Sequence, residues 1–184
     1  RQRLIGEAEF VPVQNQYGGF VYAGATMAFT TAYWVLGHYN PREIAFLGCD
    51  MSYPKSSKTH FYGTGTADPL REDITLISLE AKAARLYALA LAQGCEITNL
   101  SQETSRLIAP RRSLLEPRPE PFEIDKVQKA HALAREQELA YYVASGRYWE
   151  ELERFDIEQI KRLDALWSNV VIEPKEAAAL MRGY

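Results

Sequence analysis

The sequence predicts an α/β fold of the Rossmann-like kind: a mostly parallel sheet followed by a helical C-terminal appendage. Three observations carry this reading. Residues 22–36 are rich in small and apolar side chains and end at Gly37, which fits a buried helix of about three turns. Residues 44–49, Ile-Ala-Phe-Leu-Gly-Cys, form a short unbroken apolar run, as expected of a parallel strand covered on both faces. A second apolar run at 95–100 follows a helical segment at 73–93, and strand–helix–strand order with a crossover of this length fits a parallel pair.

Residues 10–13 suggest a short strand, which Pro12 confines to an edge or an end. Tyr17-Gly18-Gly19-Phe20 is a loop, because paired glycines reach backbone shapes closed to other residues. The chain opens on Arg1, and residues 1–20 hold no complete strand–loop–helix unit, so the sheet is expected to lack its first strands. After the strand at 44–49 comes a long polar loop, 51–71, with four aromatic-type side chains: Tyr53, His60, Phe61 and Tyr62. Loops of this length inside a domain usually carry function. Asp68 and Pro69 read as N-cap and first residue of the next helix, whose apolar positions Ile74, Ile77, Ala81, Ala84 and Leu89 recur at helical spacing. Pro110, Pro117, Pro119 and Pro121 mark a linker. Residues 124–145, 148–154, 156–169 and 173–182 read as helices. The expected division is 1–117, an α/β nucleotide-binding-type domain, and 118–184, a helical region.

Composition narrows the classes. With 47% hydrophobic and 24% charged residues, a sizeable core is expected. A net charge of -3 and a pI near 5.7 give no basic footprint for nucleic acid. No apolar run nears the roughly 20 residues of a membrane span, and no secretory signal opens the chain. Cys49 and Cys95 are too few for a disulfide framework and read as buried thiols, so a cytoplasmic location is expected.

The reactive groups gather after the first strand, where ligands of open α/β sheets collect. Asp50, at the strand end, either binds a ribose hydroxyl or basic group, or caps its own turn. His60 is the general-base candidate, since imidazole titrates near neutrality; the alternative is a solvated loop histidine. Tyr53 and Tyr62 either donate to a phosphate or pack the loop. Arg71 either closes on an anion or pairs with Asp68 or Glu72. His38 reads as a capping or surface residue, and His131 as a helix-surface or helix-contact residue. No metal-ligand spacing, P-loop or nucleophile elbow is present, so no metal is expected. Glu136 and Glu138 with Arg135, and Glu150 and Glu151 with Arg154, read as solvated faces.

Gly19-Phe20-Val21-Tyr22, the small-residue helix, Gly48-Cys49-Asp50-Met51-Ser52-Tyr53, a His-containing loop and Asn99-Leu100-Ser101 follow in an order that resembles glycosyltransferase family 42, the small bacterial sialyltransferases. The match covers residues 17–110, with Gly18 where that family has serine. The order also resembles a related bacterial family that includes the archaeal-type 6-hydroxymethylpterin diphosphokinases. The resemblance implies a transferase moving a glycosyl group from a CMP-type donor to an acceptor hydroxyl without a metal or other cofactor. It implies that Gly18, Gly19, Gly48 and Asp50 bind the nucleotide, that His60 is the base, and that Tyr53 and Tyr62 stabilise the leaving phosphate. The alternatives are a diphosphokinase using ATP and Mg²⁺ and a non-catalytic interaction module. The expected partners are a nucleotide-type ligand and a second copy of the chain meeting through the C-terminal helices.

Overall fold

A computed structural model describes residues 6–52 and 73–172. Along the chain these residues form helices α1 (Glu7–Gln16), α2 (Phe20–Ala23) and α3 (Met27–Tyr39), then strand β1 (Glu43–Phe46). Helix α4 (Leu79–Ala92) leads to β2 (Glu96–Asn99). The remainder is β3 (Glu123–Ile124), α5 (Lys126–Leu139), α6 (Ile157–Ser168) and β4 (Val171–Ile172). The arrangement is mixed α/β. Among the described residues no helix is long and apolar enough to cross a membrane.

β1 and β2 pair in parallel, with Ile44 opposite Ile97 and Phe46 opposite Asn99. The crossover between them contains α4, as expected from the sequence. The expectation that both faces of β1 are covered fails. The register puts Ile44, Phe46, Cys95 and Ile97 on one face, where they join the apolar cluster under α3 and α4. Ala45 points the other way and is exposed, and so is Leu47 beyond the strand. That second face is polar: Thr98 donates to Glu43 at 2.9 Å, and Arg112 pairs with the same carboxylate at 2.7 Å. Asn99 also forms an isolated parallel bridge with Arg111, in the stretch before the proline-rich linker.

The N-terminal segment departs from expectation. Residues 10–13 lie inside α1, with Pro12 in the helix, and are not a strand. Tertiary packing overrides the local signal: α1 lies along α3, Val13 is buried, and Gln14 donates to the Thr30 carbonyl at 2.6 Å. The expected helix over 22–36 is two helices, broken at Gly24, Ala25 and Thr26. Thr26 caps α3 by accepting from the Phe29 amide at 3.3 Å, and Gly24 is required because a Cβ there would sit 2.2 Å from the Phe20 carbonyl oxygen. Helix α3 ends on Asn40 in the left-handed conformation and not on Gly37. Gly37 instead faces α1, where a Cβ would meet Val13 Cγ1 at 2.7 Å. His38 is exposed, as expected of a surface residue, and its ring stacks on Trp34 with centroids 4.8 Å apart.

Helix α4 is the centre of the molecule, buried along nearly its whole length. Its cap is Ser78, which accepts from the Ala81 amide at 3.1 Å. Leu86, Tyr87 and Ala90 face the cluster over the sheet. Ala81 and Ala88 face a second cluster, with Ile160, Leu163 and Trp167 of α6 and Ala132 of α5. That cluster also takes Val21 and Tyr22, so it draws on chain from both sides of residue 117. The C-terminal part is less helical than the sequence suggests. Residues 123–124 pair with 171–172 as an antiparallel ladder, and residues 148–150 and 152–154 are single 3₁₀ turns. Tyr142, Trp149 and Leu152 are exposed. The helix expected at 173–182 lies outside the described residues.

Candidate functional site

Two places in the fold concentrate polar groups: the carboxyl ends of β1 and β2, and a groove beside α4.

At the strand ends, Asp50 follows β1 and Ser101 follows β2. The parallel register brings them together, and Ser101 Oγ donates to Asp50 Oδ2 at 2.9 Å. Asp50 Oδ1 is buried and has no hydrogen-bond partner among the described residues. The Asp50 carbonyl accepts from the Arg106 amide at 2.8 Å, which fastens the two loops to each other. The β2 loop is itself braced: Asn99 donates to Ser105 Oγ at 3.1 Å, and the Ser101 amide donates to Asn99 Oδ1 at 2.9 Å. Arg106 pairs with Glu80 in the first turn of α4, Nη2 to Oε2 at 2.8 Å. This pair holds the Glu80 carboxyl below its ordinary range although partial burial pushes it up.

Two backbone positions mark the same region. Among the described residues, four non-glycine residues have positive φ. Asn40 and Ala140 are the C-caps of α3 and α5, an ordinary place for that conformation. The other two are Ala25 at 89°, just before α3, and Met51 at 56°, just after β1. Left-handed backbone at such residues carries strain, and strain of this kind clusters at functional sites. Only residues 40–42 separate α3 from β1, so the helix runs back along the strand and its N-terminus lies toward the strand's carboxyl end. Met51, Ala23, Ala25 and Phe29 accordingly share one cluster. The amino ends of α3 and α4 thus both flank the Asp50–Ser101 contact, an arrangement favourable to anions.

The groove lies elsewhere. It has a volume of about 710 Å³ and is lined by the turn around Tyr17 and Gly18, the last turns of α4 and one face of α5. Its floor is an ion pair: Arg85 Nε and Nη2 donate to Glu136 Oε1 and Oε2 at 2.6 and 2.8 Å. Arg85 also donates to the Tyr33 hydroxyl and the Tyr17 carbonyl at 2.8 and 2.7 Å, and Trp167 Nε1 donates to Glu136 Oε1 at 2.7 Å. Burial pushes the Tyr22 and Tyr33 phenols up to about 12, so both stay protonated at neutral pH.

The residues singled out in the sequence fall into three sets. Asp50 and Gly48 lie at the strand ends, Gly48 with φ 69° and no atom near its missing Cβ. Gly18 lines the groove, and a Cβ on it would lie 3.5 Å from Arg85 Nη2. Gly19 caps α2 and packs on Tyr142. The groove holds Leu89, Ala92 and Gln93, from the end of α4 that feeds the start of β2, so Gly18 and Asp50 sit toward opposite ends of the sheet. Tyr53, His60, Tyr62, Asp68 and Arg71 lie outside the described residues.

Sequence reasoning missed two features. The first is the Gly24-Ala25-Thr26 turn before α3, which has a small-residue break and a capping threonine as its signal. The second is Glu136, read as part of a solvated face but only 7% exposed. Arg135 and Glu138 form the exposed pair, at 2.6 Å. The other charge pattern behaves as read, with Arg154 on Glu151 at 2.7 Å and exposed. Cys95 is buried as expected, whereas Cys49 is only half-buried, and burial raises both thiols. Among the described residues no group of three or more His, Cys, Asp or Glu could hold a metal. No protein-family model, curated protein or solved structure matches this chain.

Proposed function

We propose that the chain is a transferase of Rossmann-like type that binds a nucleotide-linked donor at the carboxyl ends of β1 and β2. The observation that carries this reading is the Asp50 carboxylate. One oxygen is held by Ser101, and the other is buried without a hydrogen-bond partner among the described residues. A buried carboxylate oxygen in that state is costly unless a donor reaches it, and a ribose hydroxyl is a donor of suitable size. The strained backbone at Ala25 and Met51 supports the same location, as does the approach of two helix amino ends, where a phosphate gains from aligned dipoles.

The chemistry follows from the family resemblance. His60, ten positions after Asp50, takes the proton of the acceptor hydroxyl as that oxygen attacks the donor's anomeric carbon. The bond from that carbon to the phosphate oxygen breaks, and Tyr53 and Tyr62 donate to the departing phosphate. Gly18 does not belong to this nucleotide site, because it lies beside Arg85.

A thermal-shift panel of CMP, CDP, UDP, GDP and ATP, each with and without Mg²⁺, tests the proposal. A ligand that binds only the native state raises the melting temperature. CMP is expected to do so without Mg²⁺, and Asp50→Asn is expected to remove most of the shift. Stabilisation by ATP alone, and only with Mg²⁺, would replace this reading with the diphosphokinase one. No shift with any nucleotide would favour an interaction module.

A further inference from the structure

The groove beside α4 is lined from α1, α2, α4 and α5 and takes no part in the strand-end chemistry proposed above. Among the described residues, its only charged lining residues are Arg85 and Glu136, and these cancel. Four of the roughly five guanidinium N–H donors are already used, on Glu136, Tyr33 and the Tyr17 carbonyl. Both Glu136 oxygens are used as well, by Arg85 and Trp167. Neither charge is left to attract an ion. An ionised ligand entering here would lose hydration and gain no counter-ion.

The walls point to a different class. Tyr17, Tyr22 and Tyr142 present aromatic surface, and Leu89 and Leu133 add apolar surface. Gly18 and Gly19, with φ of 88° and 82°, let the turn pass close to Tyr22 and Tyr142; a Cβ on them would meet those rings at 3.0 and 3.3 Å. Carboxamides stand around the space from three of these elements: Gln16 at the end of α1, Gln93 after α4 and Gln137 on α5. Each offers a donor and an acceptor side by side, and Gln93 is steadied by the Tyr17 hydroxyl at 2.9 Å. A volume of about 710 Å³ falls within the range of small-molecule pockets, which combine apolar walls with a few placed polar groups.

We propose that this groove is a second binding site, for an uncharged planar ring compound whose edge carries a carboxamide-like donor and acceptor. The ring lies among Tyr17, Tyr22 and Tyr142, and its polar edge meets the glutamine side chains.

Three isosteric probes test this: benzamide, benzoate and benzamidine, titrated into the full chain with detection by amide chemical shifts. Benzamide is expected to perturb residues around Tyr17, Leu133 and Gln137. The anion and the cation are expected to bind at least about 10-fold more weakly, because the neutral lining does not repay their desolvation. Ala92→Trp, at an exposed lining position, is expected to narrow the site and weaken benzamide at least about 10-fold, more than the loss of a single hydrogen bond would. Gln137→Leu is expected to weaken it several-fold with the melting temperature unchanged. Benzoate or benzamidine binding as tightly as benzamide would overturn the proposal. So would perturbations at Asp50 and Ser101 instead of the groove, benzamide binding unaffected by both substitutions, or no binding by any probe.

Discussion

Glu136 accepts from Arg85 twice and from Trp167 once while nearly removed from water. Arg85 in turn lies over the rings of Tyr22, Tyr33 and Trp167, at 5.9, 5.6 and 5.5 Å from their centroids. Burial opposes the charge on the guanidinium, but Glu136 and the Tyr33 hydroxyl hold it charged. Such a pair gains little over well-packed apolar side chains, but breaking it strands a buried charge. Glu136→Ala should therefore cost about 3–5 kcal/mol, and Arg85→Met with Glu136→Leu together should cost much less. Urea denaturation of the two variants checks this, and equal losses would contradict it. Why was Asp50 legible and Glu136 not? A carboxylate after an apolar run announces a strand end. Glu136 stands in Arg-Glu-Gln-Glu, a pattern that local charge reads as solvent-facing, and its partner lies 51 positions away. The one available signal was on α4, where Lys82 and Arg85 interrupt an otherwise alanine- and leucine-rich helix.

The elements divide in the same way. Continuous apolar runs and their order identified β1, β2 and α4, because a parallel pair with a helical crossover is nearly forced once those runs are seen. Phe10–Val13 misled because Pro12 and two valines favour extended chain locally, whereas burial of Val13 and Gln14 against α3 decides the outcome. The deciding residue is Gly37, whose lack of a side chain lets α1 lie on α3. A Cβ there would meet Val13 Cγ1 at 2.7 Å and Tyr17 Cε2 at 3.0 Å. Helix propensity alone would make Gly37→Ala stabilising by roughly 0.5–1 kcal/mol. Overpacking should reverse the sign, giving a net loss of about 1–3 kcal/mol, and Val13→Ala added to it should recover part. A melting series of the single and double variants reads this directly; a stabilised Gly37→Ala would show that the helices are not in tight contact.

The whole molecule is held by α4, which separates the cluster over the sheet from the cluster under α5 and α6. Order along the chain cannot reveal this, since Trp167 and Ile160 say only that they need burial, not where. Across that junction α6 meets α4 through a second charged pair, Lys82 Nζ to Asp164 Oδ1 at 3.6 Å, each side chain 4% exposed. Lys82 also donates to the Val21 carbonyl at 3.0 Å, but neither Asp164 oxygen has a hydrogen-bond partner among the described residues. Burial raises the Asp164 carboxyl above its ordinary 3.8; Lys82 opposes the rise and Glu136 adds to it. Because the folded-state value lies above the unfolded one, the stability Asp164 contributes is complete below about 3.8. It is lost as pH rises through the folded-state value. Glu80 behaves oppositely: Arg106 lowers it, so its contribution is present above the ordinary 4.5 and lost as pH falls. Asp164→Asn keeps the shape and deletes the titration. The attraction of Lys82 and the repulsion of Glu136 are both contained in the shift of Asp164, so they disappear with it. Relative to the unsubstituted chain, Asp164→Asn should become more favourable as pH rises from about 3.8 through the folded-state value, and level off above it. Urea midpoints measured at intervals across that range decide the matter: a flat difference would mean that Asp164 does not titrate differently in the fold, and a difference of opposite slope would mean that Lys82 governs it after all.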